Sequence, residues 1–476
     1  MVSIVNNETL RIFLKSTVSK LGLAFLVIMI VSSIYVLAAM PLDFGLRYWN
    51  NPVYWADYPK LAAPEWINYF LSDKLLPHTI LGIDKPSLSE DLTKYYTLRY
   101  HHDYNQLPQT LVFKLNNIVY YGNYPPLIEL SIKRPDGRDI RLLTIPAVVN
   151  NSNEKLDVSG RSEVAVTLSR FLRNEFNISL SATEILQKKL EIKIIMGEPV
   201  YTDKGIEFKI LKGRYIFSVS MVGNNLRDRI GSVEVIIYGH CYGVMGTDSL
   251  GRDLSQALLY GFPVALLIGV VTSVITAAVG ALAGIFSGYY GGVIDEVVQR
   301  ICDVLNNIPM LPLLIFFMFV VRMSEDLRKV VPPLLVIVLV LVVFGWAGIA
   351  IIVRSMVLSI KSQQFIEASL AVGSSNIRVM LKHILPQVAP FVFAQMMFFT
   401  PSAILSEAAL SLLGLSDPSI PTWGQILESA YMNQAMYLGY WWWIVPPGLL
   451  IMYSAITFVF IAQGLEPVVE PRLRGQ

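Results

Sequence analysis

Six long runs of apolar residues interrupt the chain, and each is long enough to be interpreted as a membrane-spanning helix. The first extends from Leu21 to Met40, with no charged residue between Lys20 and Asp43. A helix of that length, at about 1.5 Å per residue, crosses the ~30 Å hydrocarbon layer of a bilayer. The other five occupy residues 254–294, 304–321, 330–353, 387–406 and 441–461. This pattern predicts an α-helical polytopic membrane protein with six transmembrane helices.

Positive charge before the first run predicts its orientation. Arg11, Lys15 and Lys20 precede it, and basic residues next to a span favour the cytoplasmic side. A cleaved signal peptide is the competing interpretation, but its apolar region would be unusually long and Ala38-Ala39-Met40 is a poor cleavage site. With six spans, the N- and C-termini are therefore both expected in the cytoplasm.

Residues 42–245 carry a different pattern, in which short β-branched and aromatic stretches alternate with turn residues. Residues 128–133 alternate apolar and polar side chains, a Pro-Asp-Gly turn follows, and residues 140–145 form a second stretch. Two further stretches, 215–222 and 232–238, flank a polar turn at residues 223–225. Strands at this spacing predict a β-rich, sandwich-like domain inserted between helices 1 and 2. Because the first helix exits outward, this insertion is expected to be extracellular.

One helix is predicted inside the insertion, from Ser181 to Lys189. Ser181 suits the N-cap and Glu184 the third helical position, which together form a capping box. We therefore divide the chain into an N-terminus with the first span (1–41), the insertion (42–245) and a core with five spans (246–476).

The second and third apolar runs contain small and helix-breaking residues at informative positions. Gly280, Gly284, Gly288 and Gly292 recur at four-residue intervals, which predicts a face on which another helix backbone approaches closely. Pro309 and Pro312 interrupt the third run, so a broken span is expected there. At the last span, residues 441–443 are three tryptophans that suit an aromatic belt at the outer membrane edge.

A short polar stretch, Phe365 to Pro386, separates the fourth and fifth runs. It is flanked by basic residues, an excess that favours the cytoplasmic side: Arg354, Lys361, Arg378 and Lys382. Ser374 or Asn376 is expected to break or cap a helix, and Pro386 suits the start of the next one. The chain thus presents a small structured element between two spans.

Composition supports the membrane assignment and excludes other classes. Hydrophobic residues make up 54% of the 476 positions and charged residues 16%, whereas soluble domains carry about 25% charged residues. The net charge of +2 gives no reason to expect nucleic acid. Cys241 and Cys302 stand far apart and no Cys/His ligand spacing occurs, so neither a disulfide framework nor a metal site is predicted.

Motifs of common enzymes are missing from the sequence. No Gly-x-x-x-x-Gly-Lys-Ser/Thr is present to hold ATP phosphates, and neither His-Glu-x-x-His nor Gly-x-Ser-x-Gly occurs. His78 and the pair His101-His102 lack the spacing of metal ligands. The chain is expected not to be an enzyme and to need no cofactor.

The polar stretch resembles the EAA loop of ABC-importer permeases, in which Glu-Ala-Ala is followed by three residues, Gly and a later Leu-Pro. The matching positions are Glu367, Ala368, Gly373, Leu385 and Pro386. Ser369 replaces the second Ala, and His383 stands where the general family often has Ile. The ending His-Ile-Leu-Pro is similar to the oligopeptide/dipeptide branch.

A second stretch is similar to the Gly-Thr-Asp-x-x-Gly-Arg-Asp segment that leads into the core of peptide-type permeases. The matching positions are Gly246, Thr247, Asp248, Gly251, Arg252 and Asp253. Because its charges can pair while Leu250, Leu258 and Leu259 face the membrane, we interpret the segment as an interfacial anchor helix.

Three more segments resemble the same branch. Residues 410–415 are similar to Leu-Ser-Phe-Leu-Gly-Leu, with Leu412 in place of Phe. Residues 421–424 are similar to Pro-Ser-Trp-Gly, and the tail at residues 466–474 to an Asp-Pro-Arg-Leu-Arg ending. The large insertion departs from the family, which has a short connection at that point.

This resemblance implies the permease core of a type I ABC importer in the cell membrane, a C-type subunit that forms half of a pathway for di- or oligopeptides. It implies four kinds of partner: a second permease subunit, two ABC ATPase subunits, an extracellular substrate-binding protein and lipid. It also implies that the EAA-like loop docks on an ATPase subunit. Import of oligosaccharides or nickel, a membrane-anchored extracellular sensor or adhesion protein, and a secondary transporter are the alternatives.

Glu407 is the remaining candidate. A charge at or near the membrane costs roughly 2.5–3.5 kcal/mol on insertion scales, so Glu407 is expected to face a partner, water or the transport pathway. A buried structural pair and a pathway residue are both open at this point.

Overall fold

Long helices and β-sheets form separate units of this protein. The computed structural model describes residues 13–122, 124–147, 149–203, 205–324, 326, 331–417 and 419–469. The chain divides into a helical unit, formed within Met1–Pro52 and Leu254–Gln476, and a sandwich unit, Val53–Asp253. Segment 246–253 thus belongs to the sandwich unit and segment 42–52 to the helical unit, which differs from the expected boundaries at 41/42 and 245/246.

Among the described residues of the helical unit, five helices are long and apolar enough to cross a membrane. They are α1 (Thr17–Ala39), α5 (Leu254–Tyr290), α8 (Pro333–Lys361), α10 (Asn376–Leu412) and α12 (Trp441–Val469). A bent pair, α6 (Gly292–Asn306) and α7 (Met310–Met323), makes a sixth if it is counted as one span. Shorter helices among the described residues of this unit include α9 (Gln364–Ala371) and α11 (Trp423–Met432). The prediction of a polytopic helical protein is confirmed, with five to six apolar helices.

The predicted break in the third run is present. The axes of α6 and α7 differ by 82°, and the chain is extended at Pro309 just before α7 begins. Pro312 lies in the first turn of α7, where no intrahelical N–H bond is lost. α7 alone has 14 residues and a length of about 21 Å, which is less than the ~30 Å hydrocarbon layer.

The glycine face of α5 packs against the backbone of α8. A Cβ at Gly280, Gly284 or Gly288 would lie 2.6–2.9 Å from a carbonyl oxygen of α8, so only glycine fits without a shift. The packing prediction is confirmed for these three. It is wrong for Gly292, which has φ +56° and begins α6.

The described residues of the sandwich unit form eleven strands. They are β1 (Thr79–Ile83), β2 (Leu88–Glu90), β3 (Thr93–His102), β4 (Leu111–Val119), β5 (Leu127–Lys133), β6 (Asp139–Pro146), β7 (Ser152–Asp157), β8 (Gly197–Thr202), β9 (Gly205–Ile210), β10 (Gly213–Val222) and β11 (Arg229–Ile237). One sheet has the order β1-β11-β4-β7, another β2-β3-β10-β5-β6, and β8 and β9 form a hairpin. Phe113 and Phe217 meet edge to face between the two larger sheets, with ring centroids 6.0 Å apart, inside one continuous apolar core.

Most of the local predictions for the insertion are confirmed. β5 and β6 pair antiparallel across the predicted turn, with Ile128 opposite Ile145. Ser181 and Glu184 form the predicted capping box of helix α3 (Ala182–Gln187). The turn at residues 223–225 connects two different sheets, since β10 and β11 do not pair. Two helices were not predicted, α2 (Ser162–Phe176) and α4 (Glu191–Met196).

The three tryptophans at the start of α12 differ in exposure. Trp441 is 36% exposed, whereas Trp442 and Trp443 are 8% and 1% exposed and pack inside the unit. The aromatic-belt prediction is therefore wrong for Trp443. The side chains of the predicted tail at residues 466–474 lie outside the described residues.

Candidate functional site

The EAA-like stretch forms a short helix, α9, that is attached to the helical unit through one buried residue. Ile366 is 1% exposed and joins a core cluster with Val357 and Ile360 of α8 and Val379 of α10. Every other side chain of α9 is exposed or half-buried. Burial of one apolar side chain thus fixes the position of α9 and leaves the rest of its surface accessible.

Gly373 ends α9 in a Schellman motif. Its N–H donates to the Leu370 carbonyl at 2.9 Å, and the Ser374 N–H donates to the Ser369 carbonyl at 3.1 Å. This motif needs a left-handed residue, and Gly373 has φ +90°. A Cβ at Gly373 would meet no atom within 4 Å, so the backbone angle, rather than lack of space, accounts for glycine here.

The helix after this turn starts earlier than the sequence suggested. Ser375 is its N-cap, and the Ser375 Oγ accepts a hydrogen bond from the Arg378 N–H. The expectation that Ser374 or Asn376 caps a helix was therefore wrong by one residue. α10 is continuous from Asn376 and contains a π-helical turn at Met380–Ile384. Pro386 lies in the first turn of the regular α-helical segment that follows, Leu385–Leu412, as expected for a proline at a helix start.

The two departures from the EAA pattern lie next to each other. The Ser369 Oγ is 3.4 Å from the Nε2 atom of His383, within hydrogen-bond reach. The ring of Phe365 also contacts His383, with centroids 6.3 Å apart. His383 of α10 therefore touches two consecutive turns of α9 and fixes the angle between the two helices.

Polar contacts fix the ends of the neighbouring long helices. The Lys361 ammonium donates to the Tyr289 carbonyl near the C-terminus of α5 at 2.6 Å. The Tyr289 hydroxyl donates to the side-chain oxygen of Asn376 at 2.9 Å. Arg354 of α8 binds Asp295 of α6 through two hydrogen bonds of 2.5 Å. None of these contacts was predicted, because their partners are at least 59 residues apart in sequence.

The accessible surface around α9 combines one carboxylate with apolar side chains. Glu367 is exposed, and no ion pair or hydrogen bond engages its carboxylate within the described part of the chain. Ala368 beside it is exposed and small. Exposed apolar side chains surround them at Phe365, Leu370, Val372, Ile377 and Leu381. Leu385 and Pro386 are half-buried, and Leu385 packs on the core beneath α9. A carboxylate surrounded by apolar side chains is a surface suited to binding another protein.

The stretch Gly246–Asp253 is not the predicted interfacial helix. It is a compact turn closed by a bridge between Thr247 and Asp253, and α5 begins only at Leu254. The Asp248 carboxylate accepts hydrogen bonds from the N–H groups of Leu250 and Arg252, both at 2.9 Å. Asp248 is fully buried and pairs with the Arg252 guanidinium at 2.5 Å.

Two more features explain why this turn has its particular sequence. The Thr247 hydroxyl donates to the Pro59 carbonyl at 2.7 Å and accepts from the Ala62 N–H at 2.9 Å. Gly246 and Gly251 have φ +71° and +82°, and a Cβ on Gly251 would lie 2.9 Å from the Tyr58 carbonyl. The six matching residues therefore stabilise the end of the sandwich unit.

Glu407 is buried near the end of α10. It is 5% exposed, and the Ser411 hydroxyl donates to its carboxylate at 2.6 Å. The Thr422 hydroxyl, at the N-cap of α11, hydrogen-bonds the same carboxylate. These two hydroxyl groups give the buried carboxylate of Glu407 polar partners. A role of Glu407 in the transport pathway stays a prediction.

Comparisons with known proteins show which family the chain belongs to. A family model described as a binding-protein-dependent transport system inner membrane component matches residues 280–475, which include all of α9 and α10. An oligopeptide transport system permease protein of Salmonella typhimurium is 32% identical over 330 residues, which cover 68% of this chain and 97% of that protein. The chain belongs to this permease family, in its oligopeptide/dipeptide-type branch. It is an ABC permease.

Two further relatives of this ABC permease have related names. A dipeptide transport system permease protein of Bacillus subtilis is 33% identical over 230 residues, or 48% of this chain and 68% of the relative. A glutathione transport system permease protein of Shigella flexneri is 34% identical over 234 residues, which cover 48% of this chain and 72% of that protein. The recognition of the branch from the polar stretch is thereby confirmed.

Proposed function

We propose that this ABC permease forms half of the transmembrane pathway of an ATP-driven importer and receives mechanical force through α9. The observation that carries the proposal is the form of α9: an exposed helix with a free carboxylate, held by Ile366 and ended by the Gly373 turn. A helix that transmits force must be accessible to its partner and firmly joined to the spans, and α9 has both properties.

The surface of α9 suits a cytoplasmic ATPase subunit as partner. Glu367 offers a carboxylate to backbone amides or basic groups of the partner, and charge-assisted hydrogen bonds of this kind are among the stronger ones. The exposed apolar side chains around it supply contact area. The proposed assembly has a second permease subunit, two ATPase subunits and an extracellular substrate-binding protein. ATP hydrolysis occurs on the ATPase subunits.

Charge along the sequence supports an orientation with both termini and α9 in the cytoplasm. Lys361, Arg378 and Lys382 lie close to α9 in sequence, and Arg11 and Lys15 precede the first span. An excess of basic residues favours the cytoplasmic side. In this orientation the sandwich unit is extracellular.

Peptides are the proposed cargo. The names of the relatives mention dipeptides, oligopeptides and glutathione, which share an amide backbone of a few residues. Transport measured with di- and oligopeptides against oligosaccharides tests the cargo separately from the coupling mechanism. Uptake of oligosaccharides alone would exclude peptides and leave the role of α9 unaffected.

The coupling role is tested by Gly373→Asp in the complete transporter. We expect the complex to assemble, because the glycine lies in open space, and ATP hydrolysis to lose its stimulation by substrate. The variant adds a charge to the proposed docking surface and a residue with a left-handed strain of about 1–2 kcal/mol. The measurement is the ATPase rate in proteoliposomes, with and without substrate-loaded binding protein.

Gly439→Asp is a matched control, because Gly439 is also exposed, has φ +79° and has open space around its Cα. It should retain stimulated hydrolysis. Gly373→Asn separates charge from backbone strain, since it keeps the shape of Asp without the charge. Full coupled transport by Gly373→Asp would contradict the proposal.

A further inference from the structure

The sandwich unit has one strand edge that lacks the usual protection. An edge strand exposes unpaired N–H and C=O groups, and proteins commonly cover such edges or place charges on them. The two larger sheets have four edges, formed by β1, β7, β2 and β6. Within the described residues, no strand pairs with the outer edge of β1.

The other three edges have recognisable protection. β7 reads Ser-Asn-Glu-Lys-Leu-Asp, with three charged residues, and pairs irregularly with β4. Helix α2 packs against β6, which ends at Pro146. β2 is only three residues long and pairs with residues 93–95 of β3, and the part of β3 that it leaves uncovered carries the charged Arg99. β1 reads Thr-Ile-Leu-Gly-Ile and carries no charge.

A groove of about 700 Å³ runs beside this edge. It is lined by residues 80–83 of β1, residues 97–99 of β3, and Ser87. Leu81 and Ile83 pack on the core cluster and remain partly accessible, so they give the groove an apolar floor together with Leu98. The volume is within the range of about 300–1,000 Å³ that is typical of ligand sites.

On the β1 side of the groove, all five residues of the strand edge lack a strand partner among the described residues. The Thr97 N–H of β3 already donates to the Ser87 hydroxyl at 3.1 Å. Arg99 lies at the rim and is exposed, and its guanidinium has no ion-pair partner among the described residues. The groove therefore combines main-chain donors and acceptors, apolar contacts and one free positive charge.

We propose that a short extended peptide with a free C-terminal carboxylate binds along the outer edge of β1 as an additional strand. Main-chain hydrogen bonds to β1 hold the peptide, Leu81 and Ile83 contact its side chains, and Arg99 binds the carboxylate. Five strand residues span about 17 Å, which sets the length of the ligand at about five residues. The choice of a peptide, rather than a second copy of this chain, rests on the proposed cargo and on the charge of Arg99.

Peptide chemistry tests the proposal on the unaltered protein. The probe is the pentapeptide Ala-Val-Thr-Val-Ala with a fluorophore at its N-terminus, and binding to the full chain in nanodiscs is followed by fluorescence anisotropy. We expect saturable binding that weakens about tenfold or more when alternate amides are N-methylated, because the methyl groups remove ladder hydrogen bonds. Amidation of the C-terminus should weaken binding as well. Equal binding of the N-methylated peptide, or no binding at millimolar peptide, would overturn the proposal.

A charge reversal locates the binding site. Arg99→Glu should weaken binding of the peptide with a free C-terminal carboxylate and leave binding of the amidated peptide unchanged. Arg173→Glu, an exposed arginine on α2, is the control and should change neither. Loss of binding of both peptides in Arg173→Glu would show that net charge, and not the groove, determines the affinity.

Hydrogen exchange gives an independent readout. The peptide should slow amide exchange in residues 79–83 and leave the charged edge strand at residues 152–157 unchanged. Protection of residues 79–83 that appears without peptide and rises with protein concentration would identify a second copy of the chain as the occupant and reject the proposal. Both measurements use the chain without ATPase subunits, so their failure is distinct from a failure of the coupling role.

Discussion

The two units bury their interiors in opposite ways. In the helical unit, α5 and α8 approach until glycines at 280, 284 and 288 face main-chain carbonyls, so the interface depends on the absence of side chains. In the sandwich unit, the space between two sheets is filled by large residues such as Phe113 and Phe217. Small-residue spacing therefore controls packing between membrane helices, whereas side-chain volume controls packing between sheets. A substitution that removes side-chain volume should therefore destabilise the sandwich unit most, whereas one that adds volume should destabilise the contact between α5 and α8.

The largest expected effect is the removal of volume from the sandwich. Phe217 is fully buried and contacts Tyr100 as well as Phe113. Phe217→Ala should lower the free energy of unfolding of this unit by about 3–5 kcal/mol, since the cavity cannot collapse between two sheets. Hydrogen exchange of the β10 amides measures the change. Val222→Ala, at an exposed position on the same strand, should change it little. Equal losses of stability in the two variants would show that buried side-chain volume does not determine the stability of this unit.

The next prediction concerns the pH dependence of stability in the sandwich unit, which depends on the imidazole ring of His78. The ring of His78 lies against Tyr238 and Tyr242, and burial lowers its pKa to about 4. As the pH falls from about 6.5, the unfolded chain binds a proton before the folded chain does. Stability should therefore decrease between pH 6.5 and 4, by at most about 3 kcal/mol, and level off below.

His78→Phe should make the stability of the sandwich unit less dependent on pH. The measurement is the free energy of unfolding in urea at several pH values, with hydrogen exchange of this unit as the signal. Burial also lowers the pKa of His102, so a smaller slope of the same sign should remain. His101→Gln, at an exposed position, is the control and should retain the full slope. An unchanged slope in His78→Phe would assign the acid sensitivity to other groups.

The smallest expected effect is the addition of volume between helices. Gly284→Ala places a methyl group 2.6 Å from the Ala350 carbonyl and should cost about 1–3 kcal/mol through separation of α5 and α8. Thermal unfolding in detergent, followed by far-ultraviolet circular dichroism, gives the change. Gly448→Ala is the matched control, since no atom lies within 4 Å of the added methyl group. A loss of stability in Gly448→Ala as large as in Gly284→Ala would refute the steric explanation.

Local patterns in the sequence predicted much of the fold. Runs of about 20 apolar residues, the Pro-Asp-Gly turn before β6 and the Ser181–Glu184 pair each act within a few residues, so they could be recognised directly. Helix α2 was missed although its buried residues recur with helical spacing, as Val164, Leu168 and Phe171 show. That signal was available and would have revealed the helix.

Other features depend on distant contacts and could not be predicted. Asp248 and Arg252 have the spacing of a helical ion pair, but the Thr247 hydroxyl binds Pro59 and Ala62, about 185 residues away, and holds the segment as a turn. At the candidate site, the matching residues identified α9 and its glycine. The contact between Ser369 and His383 required the relative position of two helices, which no local pattern contains.

The continuity of α10 has a mechanical consequence. The helix has 37 residues and a length of about 55 Å, so Ser375 at its cap and Glu407 near its far end belong to one rod. Pro386, Pro390 and Pro401 lie inside it and carry no N–H, so three of its backbone hydrogen bonds are missing. Bending stiffness is lowest at these three residues. A load applied at the α9 end would therefore pass along four stiff segments in series, and any curvature would accumulate at the three prolines between them.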